Sequence, residues 1–287
     1  MAFPHSIWRL IITQPAHGAW NMALDEAILE TSGAGQELPA LRLYAWDPPC
    51  LSLGYAQPMA DVDLALLKAH GWELVRRPTG GRAILHTDEL TYSIAGPQDE
   101  PRLSGGVLDS YRSLSFTLID ALHRLGIPAQ AAEKTSTPNP ASPSAPKDQN
   151  PVCFEVPSSY EITVQGKKLI GSAQARRKQG VLQHGSLPLQ GDLSRIVQAL
   201  AFPDEKARQD AAERLLQRAA TAETFLGAPL PWQQAAQAFI QAFEATLNLE
   251  LTEQQPTAAE MRRAEELARK KYAASAWTET GRRTADQ

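Results

Sequence analysis

Hydrophobic and polar positions along the chain change period several times, and each change predicts an element. Residues Ile7 to Thr13 form an apolar run that reads as a first strand. From Asn21 to Leu29 the period turns helical. Ala23, Leu24, Ala27 and Ile28 share one face, and Asp25, Glu26 and Glu30 occupy another that is expected to be solvated. Short strands are predicted at Ala40 to Trp46 and Leu51 to Gly54, then a helix from Asp61 to His70 that stops at Gly71. Further strands are expected at Trp72 to Val75, Arg82 to His86 and Leu90 to Ala95. The clearest helix runs from Val107 to Leu125, where Leu108, Tyr111, Leu114, Leu118, Leu122 and Leu125 recur at helical spacing until Gly126 and Pro128 end it.

Residues 133–150 break the pattern. Four prolines stand among Ser, Thr, Asn and Lys with almost no apolar side chains, so a mobile loop is expected there. Beyond it, Tyr160, Ile162 and Val164 alternate with polar residues, and Gln165-Gly166 predicts a tight turn into a second strand from Lys167. A third strand is expected over Gly180 to Leu187. From Asp192 onward the period is helical: Leu193 to Leu200, Asp204 to Ala220, Trp232 to Leu247 and Thr257 to Tyr272. The order predicts an α/β (α+β) fold in which mixed β-sheets are flanked by helices, with a helical tail, and not a doubly wound sheet. Residues 1–250 are read as one large domain and 251–287 as the C-terminal helical tail.

Composition changes this picture little. Apolar residues make up 43% of the 287 and charged residues 21%, enough for a sizeable core. The net charge of −4 lacks the basic excess of a nucleic-acid binder. No apolar run approaches the roughly 20 residues of a membrane-spanning helix, and Met1 to Arg9 lacks the parts of a signal peptide. Two cysteines, Cys50 and Cys153, cannot build a disulfide framework, and no spacing suggests a metal site. A cytoplasmic protein without nucleic-acid or membrane partners is expected.

Three segments carry candidate chemistry. The first is Arg76-Arg77-Pro78-Thr79-Gly80-Gly81-Arg82-Ala83-Ile84-Leu85-His86. Adjacent glycines let backbone approach a ligand and expose N–H donors, and flanking arginines can hold a phosphate or orient a carbonyl. A plain glycine turn with solvated arginines explains the same residues. The second segment joins Cys153 to the hairpin bearing Lys167, Lys168, Gly171, Ser172 and Ala173. The hairpin makes contact between Cys153 and Lys168 feasible, and an ammonium beside a thiol favours the reactive thiolate. A buried cysteine with a surface lysine is the ordinary alternative. The third is Gln183-His184-Gly185-Ser186, where His184, like His86, lines a pocket or is a satisfied structural histidine. Cys50, without a basic neighbour, is expected in the core.

Taken in order, Trp20 to Glu26, Pro49 to Gly54, Arg76 to His86, Glu89 to Ser93, Cys153 to Tyr160, Gly166 to Gln174 and His184-Gly185-Ser186 resemble the lipoate–protein ligase A, octanoyltransferase and biotin ligase superfamily. The likeness is greatest to its cysteine-dependent octanoyltransferases of the LipM type. It implies a biotin/lipoate ligase-like catalytic domain with a narrow acyl pocket lined from Arg77 to His86. Cys153 and Lys168 would be catalytic: the cysteine forms an acyl thioester, and the lysine lowers its pKa. Arg77, Thr79, Gly80, Gly81, Arg82, Ala83, His86, Gly171, Ser172, Ala173, His184 and Gly185 would bind substrate. The expected donor is octanoyl-acyl carrier protein. The acceptor would be a lipoyl-domain protein, either the glycine-cleavage H protein or a 2-oxoacid dehydrogenase subunit, with no cofactor. Arg82 stands where typical ligases carry a third glycine, and the chain is short for their accessory C-terminal domain; both point to transferase. Alternatives are an ATP-dependent lipoate ligase, an amidotransferase between lipoyl domains and a non-catalytic acyl-binding module.

Overall fold

The computed structural model describes residues 3–131 and 161–281. The expected mobile loop and Cys153 lie outside the described residues.

Two sheets organise the chain. The larger has eight strands in the order β11-β1-β2-β6-β10-β9-β8-β7. These are β1 (Ser6–Ile12), β2 (Ala40–Tyr44), β6 (Glu89–Gly96), β7 (Gln130–Ala131), β8 (Ile162–Val164), β9 (Lys167–Arg177), β10 (Gly180–Pro188) and β11 (Leu249–Glu253). Strands β11, β1 and β2 run parallel, and every other pairing in this sheet is antiparallel. The smaller sheet places β3 (Cys50–Leu53) between β4 (Glu73–Arg76) and β5 (Ile84–His86). The mixed α/β class expected from the sequence is the one found.

Helices cover both faces of the larger sheet. Strand β2 divides its residues by alternation, which turns successive side chains to opposite faces. Leu41 and Leu43 join the core under α3 (Val107–Arg124) and α6 (Trp232–Leu247), while Ala40 and Tyr44 face α1 (Gly18–Gly33). Strand β6 does the same, with Leu90, Tyr92 and Ile94 on the α3–α6 side. Every residue of β2 and β6 is buried, which is why both read as nearly continuous strands. The smaller sheet packs against a third core that includes α4 (Glu205–Arg218) and the 3₁₀ turn Leu193–Ala199. The β8–β9 hairpin turns at Gln165 (φ 50°) and Gly166 (φ 78°), two successive positive φ values as a two-residue type I′ turn requires.

Two expectations are corrected. The region after Asp192 is not purely helical. Leu249–Glu253 forms β11, which extends the main sheet by pairing with β1. It is a short edge strand, half exposed, so its alternation is brief and weak. The helix expected over Thr257–Tyr272 is α7 (Ala258–Leu267) followed by a π turn at Ala268–Tyr272. The acidic face of α1 is also not solvated. Asp25 and Glu26 are buried because α1 is sandwiched between the sheet and the chain's last helices, which supply partners on all sides.

Candidate active site

The two sheets meet around a small, partly open cavity of about 30 Å³. The smaller sheet and the glycine turn contribute Ser52, Arg77, Gly81, Ile84 and His86. The larger sheet contributes Tyr44, Thr91, Gly171, Ser172, Ala173, His184, Gly185 and Ser186, with Trp46 beyond β2 and Met22 from α1. Of the residues expected to bind substrate, Arg77, Gly81, His86, Gly171, Ser172, Ala173, His184 and Gly185 therefore line one cavity. Thr79, Gly80, Arg82 and Ala83 stand beside it in the same turn without lining it.

Many lining residues are polar, yet their heteroatoms are engaged with one another. Ser52 Oγ lies 2.8 Å from His86 Nε2, and His86 Nδ1 lies 2.7 Å from Glu89 Oε1. Thr91 and Ser186 also donate to that carboxylate oxygen. Trp46 donates Nε1–H to Thr91 Oγ1 at 2.8 Å and stacks on the His86 ring at 3.9 Å, only 8° from parallel. The cavity therefore meets ring faces and methylenes, a surface suited to an alkyl chain. Burial pushes the Glu89 carboxyl up, but His86, Thr91 and Ser186 outweigh it and hold it below the usual range.

A second network surrounds Asp25. Arg42 Nη1 donates to it at 2.7 Å, Ser93 at 2.7 Å and Tyr44 at 2.9 Å. Burial opposes ionisation there, yet Arg42, His184 and Ser93 keep the carboxyl below its ordinary range. His184 Nδ1 stands 3.7 Å from Asp25 Oδ2, too far for a hydrogen bond but within ion-pair reach. Its Nε2 lies 2.6 Å from Thr79 Oγ1. Burial lowers the His184 pKa and favours neutral imidazole, with Asp25 opposing in part.

The glycine turn is built by Arg77. Its guanidinium donates to Ser52 O and Oγ at 3.0 and 3.1 Å, to Gly80 O at 2.8 Å and to Arg82 O at 2.7 Å. These donors brace backbone. Gly81 has φ +95°, and a Cβ at Gly80 would meet open space. Among the described residues, no hydrogen bond engages the Gly80 or Gly81 amide. Gly185 allows close strand approach: a Cβ there would fall 2.6 Å from Gly171 O.

Lys168, on β9, is buried, and its Nζ donates to Glu161 Oε1 at 2.8 Å. It does not line the cavity; Gly171 to Ala173, further along the same strand, do. Cys50 is fully buried, as expected, and burial pushes its thiol well up, away from the reactive thiolate. No group of three or more potential metal-ligating side chains occurs among the described residues, and no described helix is long and apolar enough to cross a membrane. Sequence reasoning missed Asp25, Tyr44, Trp46, Ser52, Glu89 and Thr91, and named Ser186 only as part of the His184 segment. Asp25 and Glu89 lie inside stretches that carry the superfamily resemblance, which was the available signal.

Comparison with known proteins places this geometry. Octanoyltransferase LipM of Brevibacillus brevis is 38% identical over 271 residues, covering 94% of this chain and 98% of its own length. Octanoyltransferase LipM of Kyrpidia tusciae is 39% identical over 273 residues, covering 94% and 97%. The structure of a bi-partite lipoate protein ligase and its E2 lipoyl domain from Thermoplasma acidophilum contains a chain that matches with a TM-score of 0.80. That match is 27% identical and covers 98% of this chain and 99% of the other. A lipoate-protein ligase A bound with ATP matches with a TM-score of 0.76 at 26% identity, covering 96% and 99%. The family model for the lipoyl protein ligase A/B catalytic domain spans residues 17–244, from the start of α1 into α6 and across the whole cavity, and the chain belongs to that family.

Proposed function

We propose that this chain is an octanoyltransferase that moves an octanoyl group from a carrier-protein thioester to a lysine of a lipoyl domain. The observation that carries this reading is likeness to octanoyltransferases along 94% of the chain, joined to a small, largely apolar cavity in the same family fold. In our reading Cys153 is the nucleophile and Lys168 its cationic partner. The thiolate attacks the donor carbonyl, a new C–S bond forms, and the donor C–S bond breaks with release of the donor thiol, which takes up a proton. The acceptor amine then attacks octanoyl-Cys153. A C–N bond forms, the C–S bond breaks, and the proton lost by the amine passes by way of Lys168 to the leaving thiolate. Thioester exchange is near neutral and amide formation from a thioester is downhill, so no nucleotide is required.

The unengaged Gly80 and Gly81 amides are the oxyanion donors of this scheme. Residues 1–250 are the catalytic unit and 251–287 its C-terminal element; strand β11 (Leu249–Glu253), paired with β1, joins the two. The setting is cytoplasmic, the donor is octanoyl-acyl carrier protein, and the acceptor is the glycine-cleavage H protein or a 2-oxoacid dehydrogenase subunit.

The matches to lipoate ligases favour a second reading, ATP-dependent activation of free acid. Intact mass after mixing with octanoyl-carrier protein, without ATP, separates the two. One added octanoyl group, lost in Cys153→Ala, is expected. A gain that survives that substitution overturns the thioester step, and activity only with ATP and free acid establishes the ligase.

A further inference from the structure

The cavity holds two buried histidines, and each stands between a carboxylate and a hydroxyl. Asp25, His184 and Thr79 form one series, and Glu89, His86 and Ser52 the other. Donor bookkeeping sets the direction of both. Ionised Glu89 faces His86 Nδ1, which places the imidazole proton there and leaves Nε2 to accept from Ser52 Oγ, itself an acceptor from Arg77 Nη1. In the other series an ionised Asp25 faces Nδ1, which places the imidazole proton there and leaves Nε2 to accept from Thr79.

Both series end on the glycine turn. Thr79 is the residue before Gly80, and its carbonyl accepts from Tyr55 N–H at 2.8 Å. Ser52 reaches the turn through Arg77, whose guanidinium holds Gly80 O and Arg82 O. Thr79 itself is fully buried and does not line the cavity, whereas its partner His184 does. Its hydroxyl is thus placed to hold the turn, not a substrate.

We propose that Thr79 and His184 are positioning residues: His184, held in its Nδ1–H form by Asp25, accepts the Thr79 hydroxyl and thereby fixes the Gly80–Gly81 amides at the cavity mouth. The Ser52–Arg77 series braces the same turn from the other side. This rests on the acyl-transfer reading, because the amides matter to the reaction only if an acyl carbonyl meets them there. The proton form of His184 can be tested without it.

Two measurements on the full chain test the proposal. Long-range ¹H–¹⁵N correlation of the histidine side chains should show His184 protonated at Nδ1, with an unprotonated, hydrogen-bonded Nε2 that shifts in Thr79→Val. A proton on Nε2 in the unmodified protein overturns the proposal, whether or not any variant folds. Single-turnover acylation by octanoyl-carrier protein should slow about 10- to 100-fold in Thr79→Val, as misplaced catalytic geometry does. The donor KM should stay within about threefold, and Thr79→Ser should recover the rate. A Thr79→Val rate equal to the unmodified protein's, or a loss confined to KM, overturns the positioning role. If the unmodified protein takes up no acyl group, the acyl-transfer reading fails instead, and the histidine spectrum still decides the Thr79–His184–Asp25 arrangement.

Discussion

Nζ of Lys168 donates to the Glu161 carboxylate at 2.8 Å, joining the residue before β8 to the second residue of β9. The hairpin makes this contact: its turn at Gln165-Gly166 folds the strands back so that Glu161 and Lys168 meet. Both side chains are largely withdrawn from solvent, so neither charge is well hydrated without the other. Lys168→Met should reduce acylation of Cys153 by at least about 100-fold, the scale of losing an acid–base group. Glu161→Gln should cost less, about 10-fold, because the ammonium remains and loses only the Glu161 carboxylate. Single-turnover mass spectrometry of the acyl-enzyme measures both. Equal rates in Lys168→Met and the unmodified protein would remove the lysine from the mechanism.

Gly54 touches the glycine turn from the smaller sheet. A Cβ at this position would fall 1.9 Å from Gly81 O, a backbone atom that cannot swing aside. Gly54→Ala must therefore displace the turn. The expected result is loss of acyl transfer by about 100-fold, as for a misplacement of about 1 Å. Full activity in this variant would show that the turn's position is not critical.

Acid should unfold the protein in two stages. Burial lowers the His184 pKa in the folded state, so the proton binds more tightly to the unfolded chain. Its contribution to stability is complete above the ordinary imidazole value of about 6.5 and is lost as pH falls below it toward the depressed folded value. Asp25 and Glu89 are also depressed, so their contributions persist to about pH 4 and vanish as pH falls through their folded values. Urea midpoints across pH 2 to 8 should begin to fall below about 6.5 and fall again below about 4. His184→Gln should flatten that first step and leave the lower one.

Glu260, at the start of α7, accepts from Arg9 Nη1 and Nη2 at 3.0 and 2.8 Å and from Thr31 at 2.6 Å. It also caps its own helix, taking the Thr257 amide at 2.8 Å while the Thr257 hydroxyl accepts from the Glu260 amide. Arg9 and Glu260 are both fully buried, so removing Glu260 leaves Arg9 only the more distant Glu37 carboxylate, 3.9 Å from Nη1. Glu260→Ala should destabilise by about 3–5 kcal/mol in equilibrium unfolding. A loss below about 1 kcal/mol, the scale of a surface pair, would mean that the C-terminal helix is not anchored through this pair.

Much of the architecture was legible because it is local. The β8–β9 turn is written in Gln165-Gly166, and the end of the helix after Ala69 in Gly71, which has φ +68°. Strand β11 was not legible: its five residues sit at a sheet edge, and only pairing with β1 makes them a strand. Trp46 and Ser52 carry no motif of their own. Trp46 gains its role from a stack on His86 between the two sheets, and Ser52 from a bond to His86 between neighbouring strands of the smaller one, 34 residues apart in the chain.

The sequence by itself determined most of the order of elements, the glycine turn and the β8–β9 hairpin that carries Lys168. Periodicity, turn chemistry and superfamily motifs act over short stretches and survive in one dimension. Tertiary structure alone decided what the polar residues do. Asp25 and Glu26 read as a solvated helix face, yet Arg42 and Tyr44 close over one, and Lys271 and Tyr272 over the other. Thr79 meets its histidine 105 residues later, and Glu26 its lysine 245 residues later. A buried charge is tolerated only where partners satisfy it, and partners so distant in sequence are brought together only by the packed fold.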